Sequence, residues 1–192
     1  MLLDLGADVN AKGGSCGSAL MTAIAFSQFD VAKVLIDHGA NDGAALCSAA
    51  SHGRVSIAKL LLDRGADVNA KGGSWGSALM TAIVLSQSDV AKVLIDHGAD
   101  ARTPGALPKA AGEGLDKVVG WLLDANADVN ADDGAALCSA ASRGRMSTAK
   151  LLLDRGADVK YGNAILVAIS SGHSSVAQAL LQAATRSVTA KR

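Results

Sequence analysis

The chain has 192 residues, 49% hydrophobic and only 3% aromatic, with 18 Lys plus Arg against 18 Asp plus Glu. That content can bury a sizeable core, which excludes a disordered segment or a disulfide-stapled miniprotein, and the even charge provides no general attraction to nucleic acid or an anionic membrane. Abundant Ala, Leu and Gly with few aromatics favour closely packed short helices over a sheet sandwich.

At the N-terminus, MLLDLGADVN places Asp4 and Asp8 where an export signal would carry its apolar stretch. No apolar run approaches the roughly 18 residues of a membrane span, so an intracellular, cytoplasmic location is expected. Residues 1–10 read as the remnant of a preceding unit, because Met1 to Gly6 aligns with Val34 to Gly39, the end of a second helix. The first unit then lacks a polar cap, as expected of a fragment of a longer protein or of a face covered by a partner. Residues 11–184 form a repeat array, and the polar, basic stretch 185–192 is expected to be a frayed tail.

Within the array, aligning on Leu20, Leu46, Leu79, Leu107, Leu137 and Ile165 gives steps of 26, 33, 28, 30 and 28 residues. Each unit carries two apolar stretches at helical spacing; in the second they are Leu46, Ala49 and Ala50, then Ile57, Ala58, Leu60, Leu61 and Leu62. Two short helices per unit are predicted, joined by tight turns such as SHGR at 51–54 and SRGR at 142–145, where Gly53 and Gly144 tolerate a positive φ. Gly39, Gly65, Gly98 and Gly156, with Asn126 in the fourth unit, stand where a left-handed C-terminal cap is wanted. His38, Arg64, His97 and Arg155 beside them suit the negative end of the helix dipole, a structural role that needs no ligand. Cys16, Cys47 and Cys138 are odd in number and form no CxxC pair, so neither a disulfide framework nor a zinc site is expected.

At LLLDRGADVN (60–69), WLLDANADVN (121–130) and LLLDRGADVK (151–160) the chain resembles the ankyrin repeat family. The resemblance covers nearly all of the chain and implies an all-α helical repeat solenoid of ankyrin type, with about six helix-turn-helix repeats. The family's TPLHxA motif is worn to SALMTA, AALCSA, SALMTA, GALPKA, AALCSA and NAILVA; Met21, Cys47, Met80, Pro108, Cys138 and Leu166 occupy its His position. The hydrogen bonds that the family's Thr and His make to the helix start are therefore expected to be missing, and the solenoid softer. The family's hairpin loops should be mostly shortened: Gly65 to Leu79 spans 14 positions, but Gly39 to Leu46 only 7. The longer loops should be the one carrying Trp75 and its counterpart carrying Cys16.

Residues 11–41 and 70–100 differ at five pairs: Cys16/Trp75, Ala25/Val84, Phe26/Leu85, Phe29/Ser88 and Asn41/Asp100. Residues 42–69 and 133–160 differ at four: His52/Arg143, Val55/Met146, Ile57/Thr148 and Asn69/Lys160. Two positions vary in both comparisons. The end of the first helix reads Phe26, His52, Leu85, Glu113, Arg143, Ser171, and the turn position three later reads Phe29, Val55, Ser88, Asp116, Met146, Ser174. Free drift of exposed sites is the first reading of this variation; diversification for recognition stands beside it, because drift at a solvated site rarely accumulates Phe, Leu and Met next to invariant polar neighbours. The protein-binding candidates are Trp75, Phe26, Leu85, Cys16, His52, Glu113 and Arg143.

Other chemistry fares worse. Gly13, Gly14 and Gly17, repeated as Gly72, Gly73 and Gly76, lack the GK[ST] ending of a phosphate loop and no strand pattern precedes them. His38, His52, His97 and His173 recur as repeat surface positions, which is not how one catalytic centre is assembled. Trp121 falls on the inner face of a second helix, a core position. The expected function is a protein–protein interaction module presenting a concave surface to another protein, with no catalytic residues, cofactor, metal, nucleic-acid partner or small-molecule substrate. Two alternatives stand beside it: a structural spacer or partnerless repeat fragment, and the repeat region of a larger signalling NTPase or enzyme, by likeness to the sensor arrays of signalling ATPases.

Overall fold

Seven-residue helices are too short to persist alone in water, so each must gain its stability from neighbours. In a computed structural model, which describes residues 6–13, 17–40 and 43–189, the chain divides into two compact units, 1–100 and 101–192. The first holds α1 (Ala19–Ala25), α2 (Phe29–Asp37), α3 (Ala45–Ser51), α4 (Val55–Asp63), α5 (Ala78–Val84) and α6 (Ser88–Asp96). The second holds α7 (Ala106–Glu113), α8 (Asp116–Asp124), α9 (Ala131–Ser142), α10 (Met146–Asp154), α11 (Ala164–Ser170) and α12 (Ser174–Thr189). The architecture is the all-helical repeat type, with two helices per repeat. Among the described residues there is no strand, and none of the helices is long and apolar enough to cross a membrane.

In the first unit α3 packs between α1 and α5, and α4 between α2 and α6; in the second α9 packs between α7 and α11, and α10 between α8 and α12. First helices thus form one layer of each unit and second helices another. Between the layers lie Leu20, Ile24, Leu79, Ile83 and Leu94 in the first unit, and Leu122, Leu137, Leu152 and Leu180 in the second, all fully buried. Trp121 on α8 is half-buried.

Second helices end as the glycines require. Gly39, Gly65, Gly98 and Gly156 have φ of 84°, 85°, 84° and 90°, and Asn126 has 65°. The alanine after each donates its N–H five residues back, as Ala40 does to Leu35 O at 2.9 Å and Ala157 to Leu152 O at 2.9 Å, which closes the last turn on otherwise orphaned carbonyls. His38 and His97 bond their own helices through Nδ1, to Val34 O at 2.8 Å and Val93 O at 2.7 Å.

The expectation that the TPLH ties are lost needs correction in two repeats. Ser18 and Ser77 stand at the motif's first position, and their hydroxyls accept the Met21 and Met80 N–H groups at 3.2 Å each. Thr22 and Thr81 also donate back to the Ser18 and Ser77 carbonyls. Ala44, Gly105 and Asn163 make no such side-chain cap. The loops before α1 and α5 are the hairpin-like ones, each closed by an isolated bridge (Lys12 to Ser18, Lys71 to Ser77) and a bond from Gly13 N–H to Gly17 O or from Gly72 N–H to Gly76 O. Before α11 the chain makes a 3-10 turn at Tyr161–Asn163. Helix α12 runs on through Thr189, into the stretch 185–192 expected as a tail.

Repeats are also stapled to one another by polar groups that local patterning does not announce. Asn69 donates to Gly98 O at 3.2 Å and accepts from Asp100 N–H at 2.8 Å; Asn130 does the same with Gly156 O at 3.3 Å and Asp158 N–H at 2.8 Å. Arg54 reaches from the turn before α4 to the last carbonyls of α1, Ile24 O at 3.2 Å and Ala25 O at 2.9 Å, and Arg145 reaches to Gly112 O at 3.1 Å. Arg64 pairs with Asp37 and Arg155 with Asp124, each at 2.8 Å.

Candidate functional site

The first helices of the first unit end in Phe26, His52 and Leu85, each the C-cap residue of α1, α3 or α5. A C-cap position on a packed helix throws its side chain clear of the core, and all three are exposed, Phe26 at 69%. The loop before α5 brings Trp75 toward this row. Its hairpin-like closure relies on Gly73 and Gly76, at φ of 66° and 82°, and a Cβ on Gly73 would lie 3.0 Å from Cys47 Cβ. The glycine thus lets the loop lie against α3.

Trp75, Leu85 and His52 line one groove of about 350 Å³, together with Met21, Cys47, Ser48 and Ser51. Trp75, Leu85 and Met21 supply apolar wall, while Ser48, Ser51, Thr81 and His52 supply polar groups. No Asp, Glu, Lys or Arg lines it. His52 Nδ1 lies 2.9 Å from Ser48 O and 3.0 Å from Ser51 Oγ, which ties that side of the ring to the end of α3. The Cys47 thiol in the lining is pushed up by burial, so it stays protonated and inert at neutral pH. Sequence patterning missed Met21 and Cys47 as lining groups, although both occupy the worn His position of TPLH, the one signal that marked them.

The remaining candidates lie elsewhere. Phe26 sits one repeat before His52 in the same row and does not line the groove. Cys16 lies outside the described residues, as do residues 1–5 of the expected N-terminal remnant. In the second unit Glu113 and Arg143 are turned to each other at 2.8 Å, with Lys109 also on Glu113 at 2.7 Å. The hydrogen bond from Lys109 first, and that from Arg143 next, hold the Glu113 carboxyl below its ordinary value against an opposing push from partial burial. A depressed carboxylate stabilises the fold above its unfolded pKa, and that contribution fades as pH falls through the folded value. Glu113→Gln should therefore lower the urea midpoint at neutral pH and leave it unchanged in acid below the carboxylate range; equal loss at both pH values would show that the ion cluster does not stabilise the fold.

Variation in the turn row is coupled between neighbours. Phe29 and Ile57 line a common cavity in the first unit, whereas in the second the corresponding Asp116 accepts a hydrogen bond from the buried Thr148 hydroxyl. An apolar pair has been exchanged for a hydrogen-bonded pair at matched positions. Among the described residues, no group of three or more His, Cys, Asp or Glu side chains could hold a metal ion.

The family model for ankyrin repeats (3 copies) matches residues 1–72 and 107–191. Ankyrin repeat protein R664 of Acanthamoeba polyphaga mimivirus is 49% identical over 41 residues, which is 21% of this chain and 25% of that protein, so the match spans a quarter of the relative's length. The crystal structure of the human ASB11 ankyrin repeat domain superposes with a TM-score of 0.78 at 25% identity, covering 86% of this chain and 83% of that one. With the family model spanning most of the sequence, and helix pairs packed repeat on repeat within each unit, the chain belongs to the ankyrin repeat family.

Proposed function

We propose that the chain is a protein-binding module and that its contact surface in the first unit is the groove between the Trp75 loop and the ends of α3 and α5. The observation that carries this reading is the exposure of Trp75 and Leu85 on either side of an uncharged, hydrogen-bonding lining. Large apolar side chains left in water beside polar groups are the composition of a contact centre, and Trp is the residue most enriched there. The groove has room for a bulky side chain or two, and the His52 ring, tied through Nδ1, offers Nε2 to a polar group of the partner. The absence of charge in the lining favours an apolar segment of the partner over an acidic or basic one. Catalysis is not part of this reading: Ser51 Oγ lies 3.0 Å from His52 Nδ1, but the hydroxyl donates to Ser48 O at 2.9 Å and no carboxylate lines the groove to orient the ring.

A display selection of random peptides on the full chain tests the assignment. The enriched ligands should share a bulky apolar residue and should shift backbone resonances at 48–52, 73–75 and 81–85. Ligands whose shifts cluster on other elements would place the contact surface elsewhere.

A further inference from the structure

The cavity that Phe29 and Ile57 line has no lining residue in common with the groove. It is walled by the turn and start of α2 and by the turn and start of α4, two helices that pack on each other, so both of its sides lie in neighbouring repeats of the first unit. Phe29, Val55 and Ile57 form its apolar side, Ser27 and Ser56 bring hydroxyls, and Arg54 is its one charged group; no Asp or Glu lines it. Its volume of about 350 Å³ holds a bulky side chain together with a short polar one. Arg54 spends Nε and Nη2 on the carbonyls of Ile24 and Ala25, but a guanidinium has more N–H groups than those two bonds use. Among the described residues Arg54 makes no ion pair, whereas Arg64, Arg143 and Arg155 each meet a carboxylate.

The second unit carries the same frame with an acid of its own. Gly144, Arg145 and Ser147 repeat Gly53, Arg54 and Ser56, and the position of Phe29 is taken by Asp116. The Asp116 carboxylate accepts a hydrogen bond from the buried Thr148, which stands at the position of Ile57. In the first unit the carboxylate is gone, apolar walls replace the bonded pair, and the arginine remains. We infer that this cavity is a second contact site, for a partner segment in which an acidic side chain stands beside a bulky apolar one. The apolar side chain fills the space between Phe29, Val55 and Ile57, and the carboxylate meets the remaining N–H groups of Arg54, a charge the chain itself does not neutralise. Phe26 precedes the same turn and is 69% exposed, with Phe29 at 40%, so the apolar contact continues past the cavity; that suits a polypeptide and leaves a small free acid with little to hold. The uncharged groove favours a different, wholly apolar segment, and the two sites are independent of each other.

A display selection of random peptides on the full chain carrying Trp75→Ala, which impairs the groove, tests this. Enriched peptides should pair Asp or Glu with a neighbouring Leu, Ile or Phe and should shift backbone resonances at 27–29 and 53–57. With such a peptide as the ligand, Arg54→Gln should raise the dissociation constant roughly tenfold or more and remove its dependence on salt. Gln87 stands at the matched position of the next repeat, against Gly53, so the fold already accepts that side chain there. Phe29→Asp combined with Ile57→Thr installs the second unit's pair and should abolish binding, because the chain then supplies its own carboxylate; this variant decides the matter if Arg54→Gln fails to fold by circular dichroism. Restoring Trp75 should leave the affinity unchanged, and a change would place the peptide in the groove and overturn the inference. A selection that enriches no acidic peptide, shifts that avoid both stretches, or variants that bind like the parent chain would overturn it as well, and none of those three results bears on the groove.

Discussion

Ile57→Ala should cost about 2–5 kcal/mol of stability, while Val31→Ala, at the matching position one repeat earlier, should stay within about 0.5 kcal/mol. The two side chains occupy equivalent places in α4 and α2 and differ in what covers them, 2% against 47% exposure. Removing Ile57 leaves a cavity between α2 and α4 that the surrounding helices fill only in part. Removing the Val31 methyls empties no cavity, and Ala has the higher helix propensity. Urea unfolding reads the difference directly. Equal losses at the two positions would mean that the face bearing Val31 is covered in solution.

That contrast also marks where the sequence is legible. The left-handed caps at Gly39, Gly65, Gly98, Asn126 and Gly156 could be read directly, because residue type and position fix the backbone there. Ser27 and Ser86 could not: they take φ of 60° and 55° in turns where Gly53 and Gly144 do so in other repeats, and only the repeat alignment relates them. The asparagine staples were invisible to local patterning, since Asn69 bonds residues 29 and 31 positions away. That separation is about one repeat length, so the signal lay in the period itself.

The candidate row was half legible for the same reason. Its members face away from the core, as their C-cap position implies, but each also meets its neighbour one repeat on. Apolar Leu85 and polar His52 leave a groove between them, to which the loop adds Trp75. Oppositely charged Glu113 and Arg143 close on each other, 30 positions apart, and satisfy their own charges. One outward-facing row thus gives an open surface in the first unit and a clamp in the second, and the identity of adjacent residues decides which.

Cutting Trp75 or Leu85 to alanine should therefore weaken a groove-bound ligand by about 2 kcal/mol or more each, roughly 30-fold, with the fold unaffected. Both side chains are already largely in water, so their loss opens no cavity, and the change in unfolding free energy should stay within about 0.5 kcal/mol. Phe26→Ala, one repeat away from the groove, should change affinity by less than either. Arg143→Ala should leave binding intact, because its partner is Glu113. Titration calorimetry with the selected peptide separates these cases. If Trp75→Ala and Leu85→Ala fold and bind like the wild type, the apolar rim is drift and another surface carries recognition; if they unfold, both side chains belong to the core and the exposure that motivates the groove does not exist in solution.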